Sequence, residues 1–415
     1  MDFQAELSLL RWLSGSALDG VGEADLLAGT CRRLRSAGVP VDRGFVGVEL
    51  IHPLLDGQLF RWDSRDDSVR RFDLDRFDDD VEQWEASPLF VLHDTGASEL
   101  RRRLGDNYRE GEFPVVDDLI ADGFTDYLVF MCRRGGEHVL GERDETFITF
   151  ASRAPDGFSQ QDVVALRGLV QSMATALRSI TGPRTAYAMM QTYLGRDAGR
   201  RVLRGAIDRG RAEEIQAVLW LSDLHNFTRI ADSIDPRQIV PMLNDYADCQ
   251  ARAVEAHGGD VLKFIGDGVL AIFPVQTGRE ACAPALDAAF AAQRNIAELT
   301  RRRAAEGLAT TTMYLGLHVG SVFYGNIGSA ERLDFTVVGP AVNEVSRIAG
   351  MSKSVDKDTI VSSAFQKVTP TPCQRRLVSV GRYALRGVRQ PQELFTLDPA
   401  ELDVGAMEAS EGHPE

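Results

Sequence analysis

Two strand-length runs, Val261–Ile265 and Val269–Phe273, are separated only by Gly266-Asp267-Gly268. Glycine on each side of the aspartate permits a tight reversal, so the segment predicts a β-hairpin with a carboxylate at its turn. The surrounding sequence, from Ile215 to about Leu397, alternates strands with helices. Ile215–Ser222 reads as a buried strand that ends at Asp223. A helix is expected over Asp235–His257, with Asp235 and Pro236 as cap and first position, a bend at Pro241 and a stop at Gly258-Gly259. An alanine-rich helix is expected from about Arg279 to Ala305, a second hairpin through Met313–Ile327, and a helix after Asn343. Residues 399–415 are acidic and lack aromatics, which predicts a disordered tail.

Residues 1–182 form a different pattern, read as a separate α/β domain. Leu9, Leu10, Trp12 and Leu13 mark one amphipathic helix, and Leu26, Leu27 and Leu34 a second. Strands are expected at Phe45–Ile51, Gln58–Trp62, Tyr127–Met131 and Thr146–Phe150. The turn Pro155-Asp156-Gly157-Phe158-Ser159 then offers Ser159 as N-cap of a helix from Gln160 to about Ser179. Residues 183–214 make a helical connector carrying Arg196, Arg200, Arg201, Arg204, Arg209 and Arg211. It reads either as a solvated helical face or as a signalling helix, and the sequence does not separate the two.

A length of 415 residues suits two or three domains. The net charge of −15 argues against a broad nucleic-acid or anionic-membrane surface, but not against a nucleotide held in a local pocket with metal ions. The five cysteines, Cys31, Cys132, Cys249, Cys282 and Cys373, are scattered without metal-like spacing and read as thiols of a reducing compartment. The N-terminal stretch has no basic start followed by a long apolar run, and no segment approaches membrane-span length. A cytoplasmic protein is expected.

Asp223 ends a strand and Asp267 sits in a turn; carboxylates so placed can reach a shared ion. Hard oxygen ligands suit Mg²⁺ or Mn²⁺, with phosphates completing the shell. Taken singly, each aspartate reads as a turn residue or helix cap before it reads as a metal ligand.

Four segments in order change that balance: LSDLHNFT at 221–228, HGGDVLKFIGDGVLAIFP at 257–274, LGLHVGSVFYGNIGS at 315–329 and DFTVVGPAVNEVSR at 334–347. Together they resemble the class III adenylyl and guanylyl cyclase family, in its bacterial type, over about Ile215–Leu397. The resemblance implies an α+β catalytic domain at residues 215–398, a mainly antiparallel sheet with helices on one face. It implies that Asp223 and Asp267 bind two metal ions per site, with Leu224 giving a backbone carbonyl. Lys263 and Thr336 match the pair that reads the purine; guanylyl cyclases usually carry glutamate at the lysine position, so Lys263 points to ATP. Asn343 matches the ribose-orienting residue and Arg347 the arginine at the α-phosphate. Arg386 stands where the family often places a lysine for the terminal phosphates, with Arg389 as its rival. The family's site lies between two protomers, so the resemblance implies a homodimer. With two ions activating the attacking hydroxyl, His225, His257 and His318 are left to structural or solvent-facing roles.

Two departures stand out. Asn226 occupies a position usually held by glycine, where asparagine's tolerance of unusual backbone angles preserves the loop. Pro340 replaces a polar residue in the turn before Ala341. Gly258-Gly259-Asp260 hints at a diguanylate cyclase, but Val261 and Leu262 follow where polar residues belong. A guanylate cyclase and a catalytically weak nucleotide-binding protein remain the alternatives to an adenylate cyclase. By element order, residues 1–182 resemble a GAF-type sensory domain receiving a small-molecule or protein signal; a family-specific input domain of similar build is the alternative.

Overall fold

The computed structural model describes residues 1–53, 55–76, 81–105, 108–109, 111–133, 145–275, 281–386, 388 and 390–401. The chain divides into two units, Met1–Met189 and Met190–Glu415.

The first unit opens with α1 (Phe3–Leu18) and α2 (Glu23–Ser36). Asp2 caps α1 by accepting from the Ala5 N–H at 2.7 Å. Strands β1 (Arg43–Glu49), β2 (Leu55–Asp63) and β3 (Ser68–Asp75) follow, then α3 (Val81–Glu85), α4 (Pro88–Thr95), β4 (Glu99–Arg103), α5 (Pro114–Ala121), β5 (Asp126–Arg133) and β6 (Glu145–Ser152). The six strands form one sheet in the order β3-β2-β1-β6-β5-β4, every neighbour antiparallel. One face packs Val46, Phe60, Trp62, Leu128 and Ile148 against Leu9, Leu13, Leu26 and Leu27 of the opening helices. The other packs Tyr127, Val129 and Phe147 against Leu92, Val116 and Leu119 of α4 and α5. The four expected strands are present. The sequence reading missed β3 and β4, which form the two edges of the sheet.

Helix α6 (Gln160–Leu194) starts where expected. The Asp162 N–H donates to Ser159 Oγ (3.2 Å), and the Asp162 carboxylate accepts from the Ser159 N–H (3.0 Å), a reciprocal cap. The helix continues well past Ser179. Leu177, Ile180 and Thr181 stay buried along it, and Pro183 is accommodated inside it. The expected connector therefore holds the end of α6, then α7 (Arg196–Leu203), and ends within the next strand. The Arg196 and Asp197 N–H groups donate to the Asp260 carboxylate at 3.0 and 3.2 Å. Arg201 pairs with both Asp197 and Glu213 and lies over the Tyr324 ring, 5.2 Å from its centroid.

The second unit continues through β7 (Ala212–Leu224), α8 (Phe227–Ala231), α9 (Pro236–Ala256), β8 (Asp260–Ile265), β9 (Gly268–Pro274), α10 (Cys282–Ala305), β10 (Met313–Gly328) and β11 (Leu333–Val338). It closes with α11 (Pro340–Gly350), α12 (Ser352–Val355), β12 (Thr359–Ser362), α13 (Ser363–Val368), α14 (Thr371–Gln374), β13 (Leu377–Tyr383) and β14 (Gln392–Leu397). The sheet order is β13-β14-β12-β10-β7-β9-β8, with β11 paired to the far half of β10. Among the described residues only β10 and β12 run parallel, so the sheet is mainly antiparallel.

Helices cover both faces of this sheet rather than one. Val218 and Trp220 of β7 face a core shared with Met242 and Tyr246 of α9 and Phe290 of α10. Ala217 and Leu219, pointing the opposite way, share a core with Ala198 of α7 and Ala341 and Val345 of α11. The physical reason is the composition of β7, which is apolar on successive residues and so has two faces to bury.

The expected hairpin within Met313–Ile327 is instead one continuous strand, and β10 turns back only into β11. Its glycines mark close approach, not reversal. A Cβ at Gly316 would lie 2.8 Å from the Ala349 nitrogen, and one at Gly320 would lie 2.7 Å from the Ala341 Cβ, so α11 rests directly on the strand. Helix α11 also begins earlier than expected: Pro340 is its first residue, where a fixed φ and a missing N–H cost nothing. The expected Arg279 start of α10, Arg389, and residues 402–415 of the expected tail lie outside the described residues. All five cysteines are free thiols.

Candidate active site

The turn between β8 and β9 is closed by the pairing of Ile265 with Gly268, leaving Gly266 and Asp267 as a two-residue loop. Gly266 takes φ +63°, a conformation glycine adopts without strain. Strand β9 pairs with β7 up to Val269 opposite Ser222, which delivers the turn to the strand end that carries Asp223. Gly268 makes the approach possible. A Cβ there would stand 2.5 Å from the Ser222 carbonyl oxygen and 3.7 Å from Asp223 Oδ1. The Leu224 N–H donates to Asp267 Oδ2 at 3.2 Å. Beneath this end of the strand, buried Ser222 donates to Gln250 Oε1 and accepts from Trp220 Nε1 at 3.3 Å. Asp223, Leu224 and Asp267 are thus brought together.

The Asp223 carboxyl is pushed up to about 6. Burial is the main cause, followed by the hydrogen bond and negative charge of Asp267; the Leu224 N–H and the positive charge of Lys353 act in the opposite sense. Two carboxylates held this close are short of positive charge, a deficit a hard cation relieves. Among the described residues no group of three His, Cys, Asp or Glu forms a ready metal cage. Two carboxylates and a backbone carbonyl fit Mg²⁺ or Mn²⁺ only where water or phosphate oxygens complete the shell.

Lys263, on the same hairpin as Asp267, turns to a different partner. Its Nζ lies 2.9 Å from Asp334 Oδ2, and this hydrogen bond holds the Asp334 carboxyl below the ordinary carboxylate range. Asp334 is two residues before the buried Thr336 on β11, so the two share a strand face. Asp334 was missed by the sequence reading, although this two-residue spacing within DFTVVG was the available signal. Thr336 stands opposite Gly325, which pairs with Ala212, the first residue of the 13-residue β7; Asp223 is near its last.

Asn343 and Arg347 lie one helical turn apart on the exposed side of α11, whose other side buries Ala341, Val345 and Ile348. Neither has a hydrogen-bond or ion-pair partner among the described residues. Arg386 is exposed on the loop between β13 and β14. Its neighbour Leu385 belongs to one apolar cluster with Ile348, Ile360 and Leu394, which ties that loop to the helix carrying Arg347.

The two departures from the family pattern are absorbed locally. Asn226 takes φ 55°, ψ 27°, the left-handed conformation expected of a glycine substitute. The three histidines have structural contacts. His318 Nδ1 is 2.9 Å from Ser362 Oγ, His257 Nδ1 is 2.8 Å from the Ala253 carbonyl oxygen, and His225 packs edge-on to Tyr314. An open cavity of about 360 Å³ lies beside α8, lined by residues such as Asn226, Arg229, Ser233 and Thr311; none of the expected site residues lines it.

Residues 211–399 match the family model described as the adenylate and guanylate cyclase catalytic domain. Among curated relatives, an adenylate cyclase of Anabaena cylindrica is 31% identical over 170 residues, covering 40% of this chain and 33% of that protein. Adenylate cyclase 1 of Rhizobium meliloti is 30% identical over 198 residues, covering 47% and 30%. The chain thus spans about a third of the length of these relatives. The crystal structure of the adenylyl cyclase CyaB from P. aeruginosa aligns with 45% of this chain and 95% of that one, at 20% identity and a TM-score of 0.41. No described helix is long and apolar enough to cross a membrane.

Proposed function

We propose that this protein is an adenylate cyclase that converts ATP to 3′,5′-cyclic AMP and pyrophosphate, at two equivalent sites shared between the protomers of a homodimer. The observation that carries the reading is the convergence of Asp223 and Asp267, through Gly268, into one close pair. In the reaction the ribose 3′-oxygen forms a bond to the α-phosphorus, the bond from that phosphorus to the pyrophosphate oxygen breaks, and the hydroxyl proton passes to solvent. Two Mg²⁺ or Mn²⁺ ions, held by Asp223, Asp267 and the Leu224 carbonyl, would acidify the hydroxyl and neutralise the leaving pyrophosphate. Asn343 orients the ribose, and Arg347 meets the charge that grows on the α-phosphoryl oxygens. Arg386 is assigned to the terminal phosphates.

Lys263 and Thr336 are assigned to the adenine. An ammonium fixed by Asp334 gives a directed donor, and a buried hydroxyl can pair with the exocyclic amine; the wrong purine edge would leave these groups unpaired. The dimer is supported by the placement of Thr336 and Asp223 at opposite ends of β7. Exposed Phe264 and Ile265 near Asp267, and exposed Phe323 and Val338 near Thr336, add apolar surface beside each half-site. Residues 1–182 are assigned to a GAF-like sensory domain, 183–214 to a helical connector, 215–398 to the catalytic domain and 399–415 to a tail, in a cytoplasmic protein. The test is turnover of ATP and GTP by purified protein, each with Mg²⁺ and with Mn²⁺. Cyclic AMP formation from ATP that exceeds cyclic GMP formation from GTP supports the reading. Equal use of GTP contradicts the adenine assignment, and no product with any pairing contradicts the enzyme.

A further inference from the structure

Lys353 has no role in the account above. It sits on α12, which follows α11 directly, and its neighbour Ser352 is fully buried and anchors the segment. The Lys353 side chain is exposed and makes no ion pair with a described residue. Its Nζ lies over the ring of Tyr314, 5.8 Å from the centroid. Tyr314 is the residue directly across from Asp223 in the pairing of β10 with β7. His225, which follows Leu224, packs edge-on to the same ring at 4.7 Å. Tyr314 is therefore a shelf that holds an uncommitted ammonium beside the aspartate end of β7. Asp356 and Asp358 also act on the Tyr314 hydroxyl, so a purely local balancing of surface charge is the rival explanation.

We propose that Lys353 binds the polyphosphate of the substrate, and the pyrophosphate released from it, in the site formed by Asp223 and Asp267 of its own protomer. The proposal rests on the reading of that site as a nucleotidyl cyclase centre. A triphosphate beside two carboxylates brings more negative charge than a pair of divalent ions cancels, so a further cation is favoured within reach of the leaving group. Arg347 and Arg386 are assigned to the partner-derived half of the site. Lys353 would give the aspartate half a phosphate-binding cation of its own, and a lysine suits that role as a mobile point charge.

The test uses full-length wild type, Lys353→Ala and Lys353→Arg. Inhibition by pyrophosphate, inhibition by cyclic AMP, and calorimetric binding of manganese pyrophosphate are measured. With Lys353→Ala, pyrophosphate inhibition and manganese pyrophosphate affinity should each weaken about tenfold, the scale of one charge-assisted hydrogen bond. Lys353→Arg should recover most of both. Cyclic AMP, which lacks the pyrophosphate, should inhibit all three alike. Thermal denaturation checks that each variant, changed at an exposed side chain, remains folded. Pyrophosphate affinity within twofold of wild type, in a protein that still makes cyclic AMP, overturns the Lys353 assignment alone. An equal loss of cyclic AMP affinity also overturns it. Wild-type protein that neither makes cyclic AMP nor binds manganese pyrophosphate overturns both this proposal and the reading it rests on.

Discussion

Asp223 and Asp267 repel each other when both are ionised, and the fold holds them together regardless. The strain has a predictable sign. Asp223 titrates near 6 in the folded protein, above its ordinary range. Its contribution to stability is complete below the ordinary carboxylate range and is lost as pH rises through about 6. Metal that binds the ionised pair reverses that loss, so removing it should lower the melting temperature more at pH 7.5 than at pH 5. Thermal melts with Mn²⁺ and with chelator at both pH values measure this; an equal effect at both would contradict the raised Asp223 carboxyl. Gly268 tests the geometry that creates the pair. A methyl group there meets the backbone oxygen of Ser222, which cannot swing aside. Gly268→Ala should cost about 1–3 kcal/mol of stability and reduce turnover at least about tenfold, as the hairpin is pushed off β7. Urea denaturation and a cyclic AMP assay report the two effects, and unchanged turnover would show that the close approach is unnecessary. On the base-reading side, Lys263→Glu should weaken ATP use far more than GTP use, read as the ratio of kcat/KM values.

At the scale of elements, β10 and α11 show what glycine does inside a strand. Gly316 and Gly320 let the helix that carries Asn343 and Arg347 lie on the sheet. Gly320→Ala should lift α11, lowering stability by about 1–3 kcal/mol and kcat with it, while ATP affinity changes less. Denaturation and steady-state kinetics separate these. The same glycines explain why the strand was mistaken for a hairpin: a glycine inside an apolar run looks alike whether it turns the chain or admits a neighbour. Elements with strong local signals were legible. The β8–β9 hairpin has its glycines and alternation, α9 its Asp235-Pro236 start, and α6 its Ser159 cap. The missed strands β3 (SVRRFDLD) and β4 (ELRRR) are edge strands, charged and with little apolar alternation, as edges that discourage stray pairing tend to be. Their pairing is imposed by a neighbouring strand and leaves little mark in the residues themselves. The candidate site was legible as a set of residues through the family resemblance, and Asn226 even announced its left-handed backbone. Asp334 and Lys353 were not, because their relevance is a through-space relation to Lys263 and to Tyr314.

At the scale of the whole molecule, the aspartate pair ends β7 on one side and Thr336 stands at the strand's other end, while Arg347 rides on α11. The proposed sensory domain makes no contribution to this set, since every assigned residue lies beyond Ala212. Removing residues 1–184 should therefore leave a protein that still makes cyclic AMP, at an altered basal rate, as a direct assay against the full-length protein would show. The central claim is that two incomplete half-sites become two complete ones only across a dimer. Asp223→Ala and Arg347→Ala should each be nearly silent alone, since an arginine that stabilises phosphoryl transfer contributes on the order of 10³-fold or more. In a mixed dimer one site collects both lesions and the other none. Cyclic AMP production after co-expression of the two variants is the most direct test. Random pairing makes about half the dimers mixed, each with one intact site of two, so the account predicts recovery to about a quarter of wild-type activity; no recovery in a preparation shown to contain the heterodimer would place Asp223 and Arg347 in the same site and contradict it.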